Sequence, residues 1–365
     1  MSAADSPRGE SAVQAVVKPT RGPGGEVRTV PDPRPRAGEV LVGVTASSIC
    51  GTDVHIWEWN DWAERRIRRV PFIFGHEVSG EVLEVGAGVS TLAPGDHVSA
   101  ETHIVDGTCY QCRTGRMHIC QHVEVLGVDR DGVFAERAVL PEANAWKNAP
   151  DLDPALAAIQ EPLGNAVHAL LPEDSVEDLA GRSVLVVGCG PIGLLTIAAA
   201  RKYGATRVFA TEVNPLRAGL ARRMGADRVF DPSAEGEGLA GRIRDETEGL
   251  GVDVSLEMSG HPAGLGLAFD ALTPGGRVSL LGLFDREASL NVDDQIIFKA
   301  ARVHGIFGRR MYTTWHQVRG LLSDPAFREK AAQIITHRVP IPSIARAMEL
   351  IESRQAAKVS LEGKW

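Results

Sequence analysis

Ser183-Val184-Leu185-Val186-Val187 runs straight into Gly188-Cys189-Gly190-Pro191-Ile192-Gly193, and from there into the apolar stretch Leu194 to Tyr203. The first piece has the length and composition of a buried strand. The second fits G-x-G-x-x-G, and the third is long enough for about three turns of helix. The glycine pattern alone is weak evidence. Placed after a strand and opening a helix, it reads as the turn that receives the pyrophosphate of a dinucleotide. The first glycine allows the tight turn, the second lets backbone approach phosphate, and the third lets helix pack on strand. The helix N-terminus adds unpaired N–H groups and a positive dipole end. Gly188, Gly190, Pro191, Ile192 and Gly193 are therefore candidate cofactor-binding residues. Ser183 to Ala200 carries no charged side chain and approaches the length of a membrane span. Its three glycines and proline favour strand, turn and helix instead.

Reading downstream, the run Arg207–Thr211 ends on Glu212, nineteen residues after Gly193. An acid at that point accepts the ribose hydroxyls and repels a 2′-phosphate, so NAD is expected over NADP. Arg217, a few residues on, is placed to flank the adenine. A helix over Pro215–Met224 and strands at 228–230, 252–256, 277–281 and 303–306 continue the alternation. Strands alternating with helices predict an α/β fold with a Rossmann doubly wound parallel sheet.

Upstream the character differs. Val40, Val42 and Val44 alternate with their neighbours, Val78 to Val85 repeats the pattern, and Gly/Pro turns divide short runs as far as Val139. That predicts a β-rich domain. A helix is expected within 156–171, another over 342–353, and a last strand at 357–361. The nucleotide segment, 163–308, then sits between two parts of the other domain, 1–162 and 309–365.

Composition narrows the function classes. There are 39 basic and 47 acidic side chains, a net charge of −8, which argues against nucleic-acid or anionic-membrane partners. Five cysteines, an odd number, exclude a disulfide-stapled scaffold. Met1–Glu10 has no apolar segment, so a secretory signal is not expected there. These first ten residues are expected to be a disordered tail, and the protein to be cytoplasmic.

Two constellations suggest metal. Cys50-Gly51-Thr52-Asp53-Val54-His55 and Gly75-His76-Glu77 offer Cys50 and His76 as ligands, with Glu77 adjoining and Glu161 far downstream. Catalytic zinc takes such ligands and keeps one position open. The spacing alone does not decide between ligation and ordinary burial of a small cysteine. Cys109 and Cys112 form a C-x-x-C pair, followed by Cys120. That pattern fits a structural zinc lobe, which needs a fourth ligand.

Taken in order and spacing, Cys-Gly-Thr-Asp-x-His, Gly-His-Glu, the clustered cysteines and Gly-x-Gly-Pro-Ile-Gly resemble the zinc-dependent medium-chain alcohol dehydrogenase family. The resemblance runs from about Val13 to the end. Ser48 to Trp57, Trp59 to Trp62, Leu126 to Arg130, Glu161 to His168, Gly308-Arg309, Thr314-Trp315 and Thr336 to Arg338 resemble most its threonine-oxidising branch. The resemblance implies a GroES-like catalytic domain beside the Rossmann domain. It implies Cys50, His76 and Glu77 as catalytic zinc ligands, with Glu161 as a carboxylate near the zinc. Thr52 and His55 match the proton relay. Glu212, Arg217, Leu281, Gly282, Leu283, Ile306 and Phe307 match NAD-contacting positions, as does Ile192. The implied reaction is NAD-linked oxidation of a secondary alcohol, L-threonine to L-2-amino-3-oxobutanoate, in a homo-oligomer. A polyol or amino-polyol substrate would use the same catalytic residues, and a retired, non-catalytic binding protein would have no need of them.

One departure is plain. The family's fourth lobe cysteine falls at Asp106. An aspartate oxygen ligates zinc at about 2.0–2.2 Å, so a second zinc held by Asp106, Cys109, Cys112 and Cys120 is expected, with three free thiols as the alternative. The family pattern does not use His118 or His122. His103 matches a position near the substrate pocket that the resemblance implies, with a loop histidine of no active role as the alternative. Trp57, Trp59 and Trp62 are expected to cap the substrate cleft, seal a subunit interface or serve ordinary core or surface-loop packing; Cys189 and His168 read as filler, and Arg65, Arg66, Arg68 and Arg69 read as a solvated face.

Overall fold

The computed structural model describes residues 11–173, 179–284 and 286–365. The expected tail over residues 1–10 lies outside them.

Six parallel strands form one sheet in the order Arg228–Phe230, Arg207–Thr211, Ser183–Val187, Val252–Glu257, Leu272–Leu280, Arg302–Gly305. This is the doubly wound order, with the reversal beside Ser183–Val187. The uninterrupted apolar character of that strand has a simple cause. Val184 and Val186 enter a core with Leu163, Leu170, Leu194, Ile197 and Val318. Leu185 and Val187 enter the opposite core with Phe209, Phe230, Ile243 and Phe269. A strand buried on both faces has no polar alternation to show.

Gly188 bends the chain at φ 92°, and Pro191 starts the helix Pro191–Lys202 at a position where its missing N–H costs nothing. Arg201 and Lys202 lie in its last turn, where the dipole favours cations. The helix Gln160–Leu170 is anchored differently. Buried Arg277 reaches across from the sheet and donates to the Ala169 and Leu170 carbonyls, at 3.2 and 2.9 Å.

The β-rich half is built on Glu39–Ser48, which pairs antiparallel with both Glu77–Val85 and Arg137–Pro141 and, at its far end, with Lys358–Glu362. Val40, Val42 and Val44 supply its core with Phe74, Val78, Val82 and Phe134. The Pro- and Gly-rich region before Glu39 also carries structure. Ala12–Lys18 and Glu26–Pro31 form an antiparallel pair. The fold class is the one the sequence predicts, with Lys358–Glu362 returning the chain to the β-rich half. The expected helix over 156–171 is two helices, Pro154–Ala158 and Gln160–Leu170. Among the described residues, no helix is long and apolar enough to cross a membrane.

Candidate active site

Strand register builds the first metal site. Ser48 pairs with Glu77, so the ends of two adjacent strands deliver Cys50 and the His76-Glu77 pair to one place. Ligand atoms of Cys50, His76 and Glu77 all lie within 4.8 Å of one another. Asp53, in the first turn of the helix Gly51–Glu58, accepts a hydrogen bond from the Cys50 N–H at 2.9 Å. Its other oxygen is 3.5 Å from His76 Nδ1. Among the described residues neither atom has a hydrogen-bond partner, so Asp53 lies behind the ring as a charge rather than as a bonded acceptor.

Glu77 is fully buried. One oxygen takes the Ser48 hydroxyl and the Lys358 ammonium, the latter at 2.5 Å. Lys358 also donates to the Ile49 carbonyl at 2.7 Å. The other Glu77 oxygen has no hydrogen-bond partner. A buried, unpartnered carboxylate oxygen beside a cysteine sulfur and an imidazole is the donor set a zinc ion satisfies. Thr52 and His55 sit half-buried on the same helix, three residues apart and so on one face.

Glu161 is not among these clustered ligand atoms, although its charge reaches Glu77. It opens the helix Gln160–Leu170, and its carboxylate is ion-paired with buried Arg309. Arg309 also holds Glu101 through two bonds, at 2.9 and 2.5 Å, and Trp315 donates to the same carboxylate at 2.7 Å. Burial opposes ionisation of Glu101, but Arg309, His103 and Trp315 together outweigh it and bring its pKa down to about 2.

The second constellation is equally close. Cys109 Sγ lies 3.5 Å from Cys112 Sγ and 3.8 Å from Cys120 Sγ. Cys120 Sγ lies 3.6 Å from Asp106 Oδ1. Zinc–sulfur bonds of about 2.3 Å at the tetrahedral angle imply S···S edges of about 3.8 Å, and a mixed S···O edge of about 3.6 Å. The residues therefore fit the ion. His122 pairs with the second Asp106 oxygen, and the Thr108 and Cys109 N–H groups bond the first. His122 first, then these N–H groups, hold the Asp106 carboxyl well below the usual range, so it is a ready anionic donor.

In the nucleotide turn the glycines differ as expected. A Cβ on Gly193 would come 2.1 Å from the Gly188 carbonyl oxygen, and one on Gly188 2.9 Å from Ser259. One on Gly190 would meet no protein atom within 4 Å, leaving room for a ligand. Glu212 closes the turn by accepting from the Cys189 and Asn214 N–H groups, at 3.0 and 2.8 Å. Arg217 faces the Ala356 carbonyl at 3.4 Å. Leu281, Gly282 and Leu283 follow one strand end and Ile306 and Phe307 the next, at the carboxyl edge of the sheet. Leu283 and Phe307 are 69% and 49% exposed, unusual for such side chains and suited to contact with a ring system.

His103 crosses from the β-rich half, with its ring 4.8 Å from that of Phe307. Burial, then the Arg309 charge, lowers its pKa to about 4. The sequence reading gave no role to Ser48, Asp53, Lys358, Glu101 or Arg309. Asp53 and Arg309 stood inside quoted motifs; nothing local marked Lys358 or Glu101. Arg66 is not simply solvated, since it pairs with Asp129 at 2.5 Å.

Two family models match, the alcohol dehydrogenase GroES-like domain over residues 36–151 and the zinc-binding dehydrogenase over 191–324. The L-threonine 3-dehydrogenase of Thermococcus kodakarensis is 48% identical over 348 residues, covering 95% of this chain and 97% of the relative. The chain belongs to the zinc-dependent medium-chain alcohol dehydrogenase family. Family members of known structure share the whole architecture. An alcohol dehydrogenase from Thermotoga maritima superposes with a TM-score of 0.88 at 27% identity, covering 96% of this chain and 99% of that one. A zinc-binding dehydrogenase from Sinorhizobium meliloti, solved with NADP, gives 0.86 at 29% identity, with 97% and 100% covered. This family member is an NAD(P)-linked, zinc-binding oxidoreductase acting on a small molecule.

Proposed function

We propose that this dehydrogenase oxidises L-threonine at its β-hydroxyl carbon to L-2-amino-3-oxobutanoate, with NAD as acceptor. The observation that carries the chemistry is the meeting of Cys50, His76 and Glu77 within 4.8 Å, with one Glu77 oxygen left unpartnered. The substrate follows from full-length similarity to proteins named L-threonine 3-dehydrogenase. When bound, zinc supplies Lewis acidity to the substrate hydroxyl and NAD supplies the hydride acceptor.

The chain's own residues do the rest. Asp53 places a negative charge behind the His76 ring, and Lys358 and Ser48 hold Glu77. Thr52 accepts the hydroxyl proton and His55 passes it towards solvent. Glu212 accepts the ribose hydroxyls and disfavours a 2′-phosphate, so NAD is chosen over NADP. Gly188, Gly190, Pro191, Ile192 and Gly193 receive the pyrophosphate. Leu281, Gly282, Leu283, Ile306 and Phe307 line the ring site, with Arg217 near the adenine. Glu161 lies close enough to raise the Glu77 pKa, after burial and against Lys358, and serves as a second carboxylate at the site.

The same reading includes a second zinc on Asp106, Cys109, Cys112 and Cys120, supported by the tetrahedral spacing. It divides the chain into 163–308 for the cofactor and 1–162 with 309–365 for catalysis. It includes a homo-oligomer, supported by the open edge strand Arg302–Gly305, with exposed Val303 on it and exposed Ile297 and Phe298 before it. Five free cysteines suit a reducing, cytoplasmic setting. Initial rates with NAD over threonine, sorbitol, butanediol and simple alcohols test the proposal. Preference for a polyol would overturn the substrate.

A further inference from the structure

The turn between the helices Gly51–Glu58 and Asp61–Arg66 carries a constraint on His55. Asn60 caps the second helix: the Trp62 and Ala63 N–H groups donate to Asn60 Oδ1, at 3.1 and 3.2 Å. Two donors on Oδ1 settle which end of the amide is which, so the opposite end is the NH2. That end lies 2.6 Å from His55 Nδ1. An NH2 group only donates. His55 Nδ1 is therefore an acceptor, and the ring proton belongs on Nε2.

We propose that Asn60 is a positioning residue that holds His55 as the neutral Nε2–H tautomer. A proton can enter the ring only at its free lone pair, and Asn60 occupies it. Uptake forms an Nδ1–H bond and breaks the Asn60–His55 hydrogen bond, so the amide must swing away and loosen its cap.

The turn resists that movement. Buried Lys18 donates to the Gly24 and Trp57 carbonyls, at 2.7 and 3.1 Å, and lies over the Trp59 ring. Trp59 Nε1 donates to Glu64 at 2.5 Å. The tryptophan cluster thus fixes the platform from which Asn60 reaches His55. Trp62 packs beside the imidazole, with ring centroids 5.7 Å apart. Among the described residues, Glu58 on the same helix is the charge acting on His55; it favours the charged ring, and burial, the larger effect, opposes it.

The consequence for turnover rests on the relay role proposed for His55; the tautomer does not. The test uses the zinc-loaded full-length enzyme with 15N-labelled histidine, His55 being assigned by comparison with His55→Asn. In the parent protein, His55 is expected to carry its proton on Nε2 above its titration. Asn60→Asp keeps the cap but presents only acceptors. It should move the proton to Nδ1 and raise the titration by about 1–3 pH units. Asn60→Ser keeps a capping oxygen without the reach and should give mixed tautomers with no comparable rise.

A parent protein protonated on Nδ1, or an Asn60→Asp variant with tautomer and titration unchanged, would overturn the proposal. The pH profile of kcat separates the two ideas. Its acid limb should rise with the titration in Asn60→Asp. A tautomer that changes while the profile stays fixed would sustain the Asn60 assignment and sink the relay role.

Discussion

The Arg309 guanidinium lies between the buried carboxylates of Glu101 and Glu161 and binds both. Arg309 follows the last strand of the nucleotide sheet, whereas Glu101 follows a strand of the β-rich half. One cation therefore ties the chain leaving the nucleotide sheet back to the β-rich half. Arg309→Met would leave two uncompensated carboxylates in a dry site. Breaking such an arrangement costs about 3–5 kcal/mol. Urea unfolding should show that loss, and a change below about 1 kcal/mol would contradict the reading.

Glu212 sits at the end of its strand with both oxygens already bonded to N–H groups of the nucleotide turn. Glu212→Gln keeps the shape and removes the charge. Hydrogen bonds to charged groups contribute about 1.5–3 kcal/mol. The ratio of kcat/KM for NAD over NADP should fall at least about tenfold, one decade per 1.4 kcal/mol. An unchanged ratio would remove Glu212 from cofactor choice.

The lobe geometry predicts two zinc ions per chain in metal analysis of the purified enzyme. Asp106→Ala should reduce the count to one and lower thermal stability, while Asp106→Cys should keep two. A parent protein with one zinc would show that the lobe holds its thiols without metal.

His168 is buried, and its Nδ1–H donates to the Gly308 carbonyl at 2.8 Å. Burial brings its pKa down to about 4, against an ordinary 6.5. The unfolded chain thus binds the proton first as pH falls. Folded stability from this residue is full above pH 6.5 and declines between 6.5 and 4. The decline amounts to about 3–4 kcal/mol at most, from 1.36 kcal/mol per unit. Unfolding free energies measured over that range should fall less steeply in His168→Gln. An identical slope would place the acid sensitivity elsewhere.

What could be read from the sequence was what is contiguous. Ser183 to Tyr203 held a strand, a turn and a helix in one piece, and the physical role of each glycine could be assigned there. Cys109, Cys112 and Cys120 were legible for the same reason. Cys50 and His76 were not, as residues alone, because their meeting depends on the register that pairs Ser48 with Glu77. Family resemblance supplied the link that spacing could not. Lys358 and Arg309 act on carboxylates far away in the chain, and a single basic residue in a strand or loop carries no local mark of that task. The pair Ala12–Lys18 and Glu26–Pro31 was obscured by the prolines, glycines and arginines around it.

The central claim is tested most directly by NADH formation from L-threonine in parent and Cys50→Ser enzymes, with zinc counted in both. The account predicts threonine turnover by the parent that exceeds turnover of any polyol. It also predicts loss of one zinc and of nearly all turnover in Cys50→Ser. Unchanged turnover in a variant that has lost that zinc would contradict it.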